Sequence, residues 1–355
     1  MANWYDVPST ITALKWGSGV WIPNRDFADY NSAILDDVVT GDDGELGYRT
    51  GFAGWSYTRA NSSQTVLPYT AGGSGAEVQQ GYYGPGAMEL YANSTASDID
   101  WDDHDTYAVC AYTGMLPFPF KNRYSGEFAL AFAARAAASY GALSGYCKIA
   151  LSQYSSSFSY LGTDEFTLSS ESPTITWSTH KVTLSGSLSS STAYVMLQIA
   201  MRAPSGSRTL AFDQLSLFTD PLDSTGGDHY RELSDVYYRG VPRTSWAANG
   251  VVDARMMDGH LDRRSADQAW LKQQIALEWY REDGANADEL LKMYSVSKKG
   301  WGETVSEPCP VCIDPGFGFG PHWGYYHAMG STFDNTFNPA HKDAGFDAGL
   351  LLQEI

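Results

Sequence analysis

Two short signatures bracket a long run of strand-like sequence. Pro23-Asn24-Arg25-Asp26-Phe27, followed by Gly54-Trp55, opens it, and Leu210-Ala211-Phe212-Asp213-Gln214-Leu215-Ser216-Leu217 closes it. Between them, short apolar/polar alternations recur with turn residues in the gaps and almost no helical periodicity, a pattern that constrains the chain to a β-sandwich. Phe128, Leu130 and Phe132 alternate with Ala129, Ala131 and Ala133, so one face of that strand is expected to meet an opposite sheet while the other lies under a thin cover. Cys147, Ile149 and Leu151 alternate with Lys148, Ala150 and Ser152, the mark of a half-buried strand. Near the end the apolar phase slips from Leu210/Phe212 to Leu215/Leu217, which a β-bulge at Asp213-Gln214 would produce. Trp55 and Trp177 read as core residues, and Ala71 to Gly75 and Ser187 to Ser191 as loops.

The 355 residues are enough for two hydrophobic cores. Residues 1–22, with Trp4, Tyr5, Trp16 and Trp21, read as an aromatic docking segment, and 23–221 as the sandwich. Asp220-Pro221-Leu222-Asp223-Ser224-Thr225-Gly226-Gly227-Asp228 reads as a linker, after which 229–355 forms a smaller, mixed α/irregular domain. There, Ser265-Ala266-Asp267-Gln268 has capping-box spacing and Leu271, Ile275 and Trp279 follow at intervals of four. Asn286-Ala287-Asp288-Glu289 repeats the cap, so two short helices joined at Gly284 are expected. From Trp301 onward the Gly-, Pro- and aromatic-rich sequence reads as irregular.

A formal charge of −18 with only 23 Lys and Arg argues against a nucleic-acid partner, because phosphate binding needs clustered cations. The 23 Tyr and 11 Trp suit interfaces and sugar platforms, where a large ring buries area and keeps a polar edge. The N-terminus has no basic region followed by an apolar stretch, so no secretory signal is expected, and no run is long and apolar enough for membrane insertion.

Cys309-x2-Cys312-x9-His322-x4-His327 offers the ligand types and approximate spacing of a structural zinc site, with a Cys309–Cys312 disulfide or free thiols as alternatives. Cys110 and Cys147 read as buried apolar thiols. The acidic run from Asp98 to Asp105 lacks the Gly and Glu of a calcium-binding EF-hand loop and reads as a solvated connection. No nucleophile elbow, phosphate-binding loop or His-Glu-x-x-His stands in the chain, so no enzyme and no organic cofactor is expected.

The opening Asn24-Arg25-Asp26-Phe27, Gly54-Trp55, the stretch from Tyr124 to Ala136, Trp177 to Leu184 and the Phe212-Asp213 ending together resemble the carbohydrate-binding-module jelly roll of the galactose-binding-like superfamily. The resemblance covers roughly residues 22–220. It implies a two-sheet jelly roll and a structural calcium, with Asn24 and Asp26 matching the opening position and Asp213 the closing one. Ala28 stands where the family usually has an acid. For glycan stacking, the rings in loops and presumptive edge strands are Tyr82, Tyr83, Trp101 and Tyr154.

Three functions fit this reading. The first is a virion structural protein, a capsid decoration or tail/fibre component of a bacteriophage. It would be a homo-oligomer contacting other virion proteins, and its jelly roll would help attachment to cell-surface glycan. The second is a secreted carbohydrate-binding module or accessory domain, and the third a polysaccharide-degrading enzyme. The first is the expectation carried forward.

Overall fold

The computed structural model describes residues 14–35, 38–40, 46–59, 64–69, 81–82, 86–93, 108–120, 128–204, 206–220, 229–233, 243–248, 251–255, 261–265, 271–282, 284–301, 305–314, 323–330, 333–338 and 345–355. Among these the chain is mainly β, arranged as antiparallel sheets that build a sandwich.

The larger sheet runs in the order β12 (Ser178–Thr183), β9 (Ala129–Ala136), β14 (Arg208–Thr219), β1 (Leu14–Val20), β20 (Val311–Asp314), β21 (Gly324–Ala328), β23 (Gly345–Glu354), β19 (Leu271–Glu282) and β16 (Arg243–Ala248). Beside this path, β6 (Met88–Ala92) pairs β14 and β5 (Thr65–Pro68) pairs β6, while β15 (Arg231–Leu233) pairs β1 and β22 (Asp334–Asn338) pairs β23. The second sheet runs β11 (Tyr160–Glu165), β10 (Cys147–Tyr154), β13 (Tyr194–Met201), β7 (Val109–Thr113), β4 (Trp55–Arg59), β3 (Leu46–Arg49) and β2 (Val38–Thr40), with β8 (Leu116–Pro117) against β13. A separate ribbon joins β17 (Val251–Arg255) to β18 (Leu261–Ser265).

The alternation on β9 does what its pattern predicts. Leu130 and Phe132 join the core, with Phe132 packed on Phe212, while Ala131 and Ala133 pair in register with Lys181 and Thr179 on the opposite face. The bulge forms where the phase slips: the β14–β9 register shifts between Asp213 and Ser216, and Gln214 takes a positive φ of 56°. Trp55 is core, and Cys110 and Cys147 are free, buried thiols. On β10, however, Ala150 and Ser152 are as buried as Ile149 and Leu151, so this strand is covered on both faces rather than half-buried.

The C-terminal third departs furthest from expectation. One helix, α1 (Gly284–Lys299), follows Gly284, but the segment before it is β19, hydrogen-bonded between β16 and β23. A spacing of four is also an even number, so Leu271, Ile275 and Trp279 fit a strand's two-residue period as well as a helical turn. Partner strands on both sides decide the matter. The region after Trp301 is likewise not irregular, since it supplies β20 to β23 to the larger sheet. Among the described residues most buried apolar side chains form one cluster that runs from Trp16 and Trp55 through Phe132 and Leu197 to Met293, Tyr325 and Leu352, and Tyr69, Ala87 and Ala211 form a second, small one against Trp177.

The two bracketing signatures touch. Asn24 closes the turn after β1 with both ends of its amide: Oδ1 accepts from Asp29 N at 2.9 Å and Nδ2 donates to Asp29 O at 2.7 Å. This presents the Arg25 carbonyl to Leu215 N at 3.1 Å, just past the bulge. The Arg25 guanidinium, buried with the backbone, donates to Ser216 Oγ at 2.8 Å and to Trp323 O at 3.2 Å, and pairs with Glu354 at 3.4 Å. Burial works against its charge, but Glu354 foremost, then Asp26, hold its pKa above the ordinary value. One side chain therefore ties the first loop, the bulged strand and the last strand. Removing one partner of a buried, hydrogen-bonded charge pair costs about 3–5 kcal/mol, so Arg25→Met is expected to lose that much in denaturant unfolding.

Candidate ligand-binding face

The candidate site is built on the outer face of the larger sheet, away from the second sheet. In-register rows set its floor: Thr179, Ala133 and Asp213 form one row, and Arg135, Ala211 and Glu89 another. Alanines at 131, 133 and 211 keep the floor low, and larger side chains rise at its margins. Trp177, read from sequence as core, is half-buried here instead, edge-on to Tyr69 at 5.7 Å and tilted toward Tyr82 at 6.4 Å. It precedes β12 on the face opposite His180, whose ring stacks on Phe132. Arg135 Nη1 donates to the Tyr69 hydroxyl. At the other end, Trp323 stacks on Phe218 at 4.1 Å, its carbonyl fixed by Arg25 and Ser216.

Between these rings lies a half-enclosed pocket of about 20 Å³, lined by Tyr82, Trp323, Thr179, His180, Gln214 and the stretch from Ala131 to Ala133. That volume admits one water-sized group, such as a hydroxyl. Gln214, 6% exposed, is held by the bulge, with its N–H donating to Asp213 Oδ1 at 2.7 Å. Among the described residues its Oε1 is buried with no hydrogen-bond partner. An unpaired buried acceptor costs about 1–3 kcal/mol, so a donor entering the pocket would relieve a standing penalty.

The four predicted glycan residues are not gathered in one place. Tyr82 lines the pocket. Tyr154 lies on the second sheet, edge-on to Tyr160 at 5.9 Å, and Tyr83 and Trp101 fall outside the described residues. Tyr69, Glu89, Arg135, Gln214 and Trp323 were not singled out from sequence. The alternating alanines of β9 and the phase slip at Asp213-Gln214 are the sequence marks this face carries, and in the sequence they read only as strand burial and a bulge.

Of the calcium positions, Asn24 spends its amide on Asp29, and Asp26 Oδ1 accepts from Ala28 N at 3.5 Å. Asp213 is fully buried, and its Oδ2 lies 2.4 Å from where a Cβ on Gly81 would stand, with Gly86 O at 2.0 Å from the same point. Phe27 O in turn lies 2.1 Å from a Cβ built on Gly86. Neither glycine has room for a side chain, so the Asp213 carboxylate is packed against bare backbone.

Of the zinc positions, Cys309 and Cys312 are buried free thiols, Cys309 beside Ser18 and Cys312 beside Arg25 and Ser216. Burial pushes the Cys309 thiol up to about 12 and the Cys312 thiol up as well. His327 sits near Ser297 at 3.5 Å, and His322 lies outside the described residues. Among the described residues no three of His, Cys, Asp and Glu are grouped to hold a metal.

Electrostatics on the face centre on Glu89, whose carboxyl is pushed up to about 7, chiefly by burial, with Arg135 pulling it down. A carboxyl at about 4.3 in the unfolded chain and about 7 in the folded one leaves the native state holding the extra proton between those values. Its stabilising contribution is therefore complete below about 4.3 and is lost as pH rises through about 7. Discounted for solvent screening, this amounts to on the order of 1 kcal/mol. Thermal unfolding of the wild type is expected to weaken from about pH 5 to about pH 8 by that amount, and Glu89→Gln to remove this component.

No known protein family profile matches the chain. No curated protein matches it in sequence. Solved structures with partial likeness include the CBM22-1 xylan-binding domain of Paenibacillus barcinonensis Xyn10C, at 12% identity and a TM-score of 0.28, covering 46% of this chain and 85% of that one. A cyclase from Fischerella sp. TAU matches at 12% identity and a TM-score of 0.33, over 56% of this chain and 95% of that one. The enzymatically active domain of tailspike protein 4 of bacteriophage CBA120 matches at 8% identity and a TM-score of 0.29, over 52% of this chain and 21% of that one.

Proposed function

We propose that this chain binds glycan on the outer face of its larger sheet, with Trp177 and Tyr82 as stacking rings and Gln214 Oε1 as the acceptor for a sugar hydroxyl. The observation that carries this reading is the buried, unpartnered Gln214 carbonyl oxygen at a pocket walled by aromatic rings over a floor of alanines. Pyranose rings present apolar C–H faces to aromatic side chains and hydroxyls to amides, and the pocket has room for one such hydroxyl. The reading is of a binding surface rather than a catalytic one at this face.

The proposal extends to setting: a virion structural protein, as capsid decoration or tail/fibre component, that displays this face in several copies. Exposed large apolar side chains support a role in assembly, namely Trp21 at 51% and, at the β10–β11 tip, Phe158 at 57%. Arrayed copies would turn weak individual contacts into useful attachment. A secreted carbohydrate-binding module would use the same face as a single copy, so light scattering separates the two settings. A discrete oligomer supports the first, and a monomer the second.

A calcium ion with the buried Asp213 carboxylate among its ligands would brace the junction of the opening and closing signatures that backs this face. Chelation is then expected to lower the melting temperature and added calcium to restore it, while an unchanged melting curve would remove the ion from the proposal.

Binding itself is tested by calorimetric titration with neutral plant and bacterial oligosaccharides. Against any sugar that binds, Trp177→Ala and Tyr82→Ala are each expected to weaken affinity about 2- to 12-fold, matching the 0.5–1.5 kcal/mol of an aromatic contact beyond its area. Gln214→Leu, which removes the acceptor and keeps the bulk, is expected to weaken it similarly. Affinity unchanged in all three variants would move the site elsewhere.

A further inference from the structure

At the β12 edge of the larger sheet, three side chains form a hydrogen-bonded relay. Ser178 Oγ lies 2.8 Å from His180 Nε2, and His180 Nδ1 meets Glu171 Oε2. We propose that Ser178, His180 and Glu171 form a second site that hydrolyses small carboxylic esters, with Ser178 as nucleophile, His180 as general base and Glu171 as the positioning carboxylate. His180 also lines the pocket beside Gln214, but the inference does not require that the pocket bind glycan.

The order of contacts is the first argument. A carboxylate on Nδ1 fixes that nitrogen as the donor, which leaves the Nε2 lone pair to accept the serine proton. The relay therefore has the polarity that nucleophile activation needs, and such a constellation is recognised by geometry rather than by sequence order. Ser178 and His180 stand two residues apart on β12, so strand alternation puts both on the same face. Glu171 reaches them from the segment between β11 and β12, with its other oxygen accepting from Ser170 Oγ at 2.9 Å.

Exposure is graded in the direction catalysis requires. The His180 and Glu171 side chains are 6% and 17% exposed, so the base and its partner are shielded, while Ser178 is only partly buried. His180 is further held by its stack on Phe132, with centroids 5.3 Å apart. A shielded imidazole beside a reachable hydroxyl is more than a tether for the neighbouring segment requires.

Backbone geometry adds an electrophilic donor. Leu184 N donates to Phe128 O one step beyond the β12–β9 ladder, which makes the 184, 182, 180 and 178 positions the hydrogen-bonded pairs. By antiparallel alternation the Thr179 N–H then points away from β9 to the open edge. It belongs to the residue following the nucleophile, a position from which a backbone N–H can stabilise an oxyanion. Ile175, 58% exposed in the same segment, gives the approach an apolar margin suited to a short acyl group.

The step balances without any co-reactant but water. Ser178 Oγ adds to the ester carbonyl carbon as its proton passes to His180 Nε2. The bond from that carbon to the alcohol oxygen then breaks, and His180 returns the proton to the leaving alcohol. Water, deprotonated by His180, attacks the acyl-serine and releases the carboxylic acid, which restores the Ser178 hydroxyl.

The decisive experiment treats the full-length folded chain with a fluorophosphonate probe, maps the adduct by peptide mass spectrometry, and follows p-nitrophenyl acetate hydrolysis in parallel. The expected result is an adduct on Ser178 and hydrolysis reduced about 100-fold or more in Ser178→Ala. Glu171→Gln is expected to lower kcat while leaving KM and the melting temperature unchanged, which a merely structural carboxylate would not do. Absence of an adduct at Ser178 in the folded wild type, or hydrolysis by Ser178→Ala equal to wild type, would overturn the site. If Ser178→Ala fails to fold, the labelling map of the wild type still decides.

Discussion

A single buried guanidinium organises this fold. Arg25 comes from the turn after the first described strand, yet its contacts are Ser216 on the bulged strand, the carbonyl of Trp323, and Glu354 at the end of the last strand. A charge so fully removed from water is tolerable only with its hydrogen bonds and counter-ion in place. Tight closure of the neighbouring turn follows from the same demand. Asn24 and Phe27 both adopt positive φ, a costly choice for residues other than glycine, and the Asn24 amide locks the turn from both sides. Trp323, and with it one wall of the candidate glycan pocket, is placed by this residue.

Much of the sandwich was legible because two-residue periodicity reports directly on which face is buried. The alternation of β9 and the slip at Asp213-Gln214 each gave a correct local structure from spacing alone. The C-terminal third was not legible in this way. Apolar residues at intervals of four satisfy both regular periods, and capping-box residues before them favoured the helical reading, whereas β19 is settled by partners distant in sequence. Long-range pairing of this kind leaves no local mark.

Site residues were legible to different degrees for similar reasons. Tyr82 was legible as one of the rings in loops and presumptive edge strands that suit sugar stacking. Trp177 was assigned to the core because a strand-adjacent tryptophan usually packs inward, and only the sheet register shows that its face is the outer one. Gln214 gains its character from the bulge, which buries an amide at a position where regular pairing would have found it a different surrounding. The Ser178–His180–Glu171 relay was invisible in sequence, since its carboxylate arrives from a connection whose path only the fold reveals.

The placement of β1 has a consequence for synthesis. Its residues pair on one side with positions 217–219 and 231–233 and on the other with 311–314. Every one of these partners leaves the ribosome long after β1 does, and closing such long loops is what makes high-contact-order topologies slow to form. The nascent chain therefore carries β1, including Trp16, without any of these partners until residues 217–219 have been made.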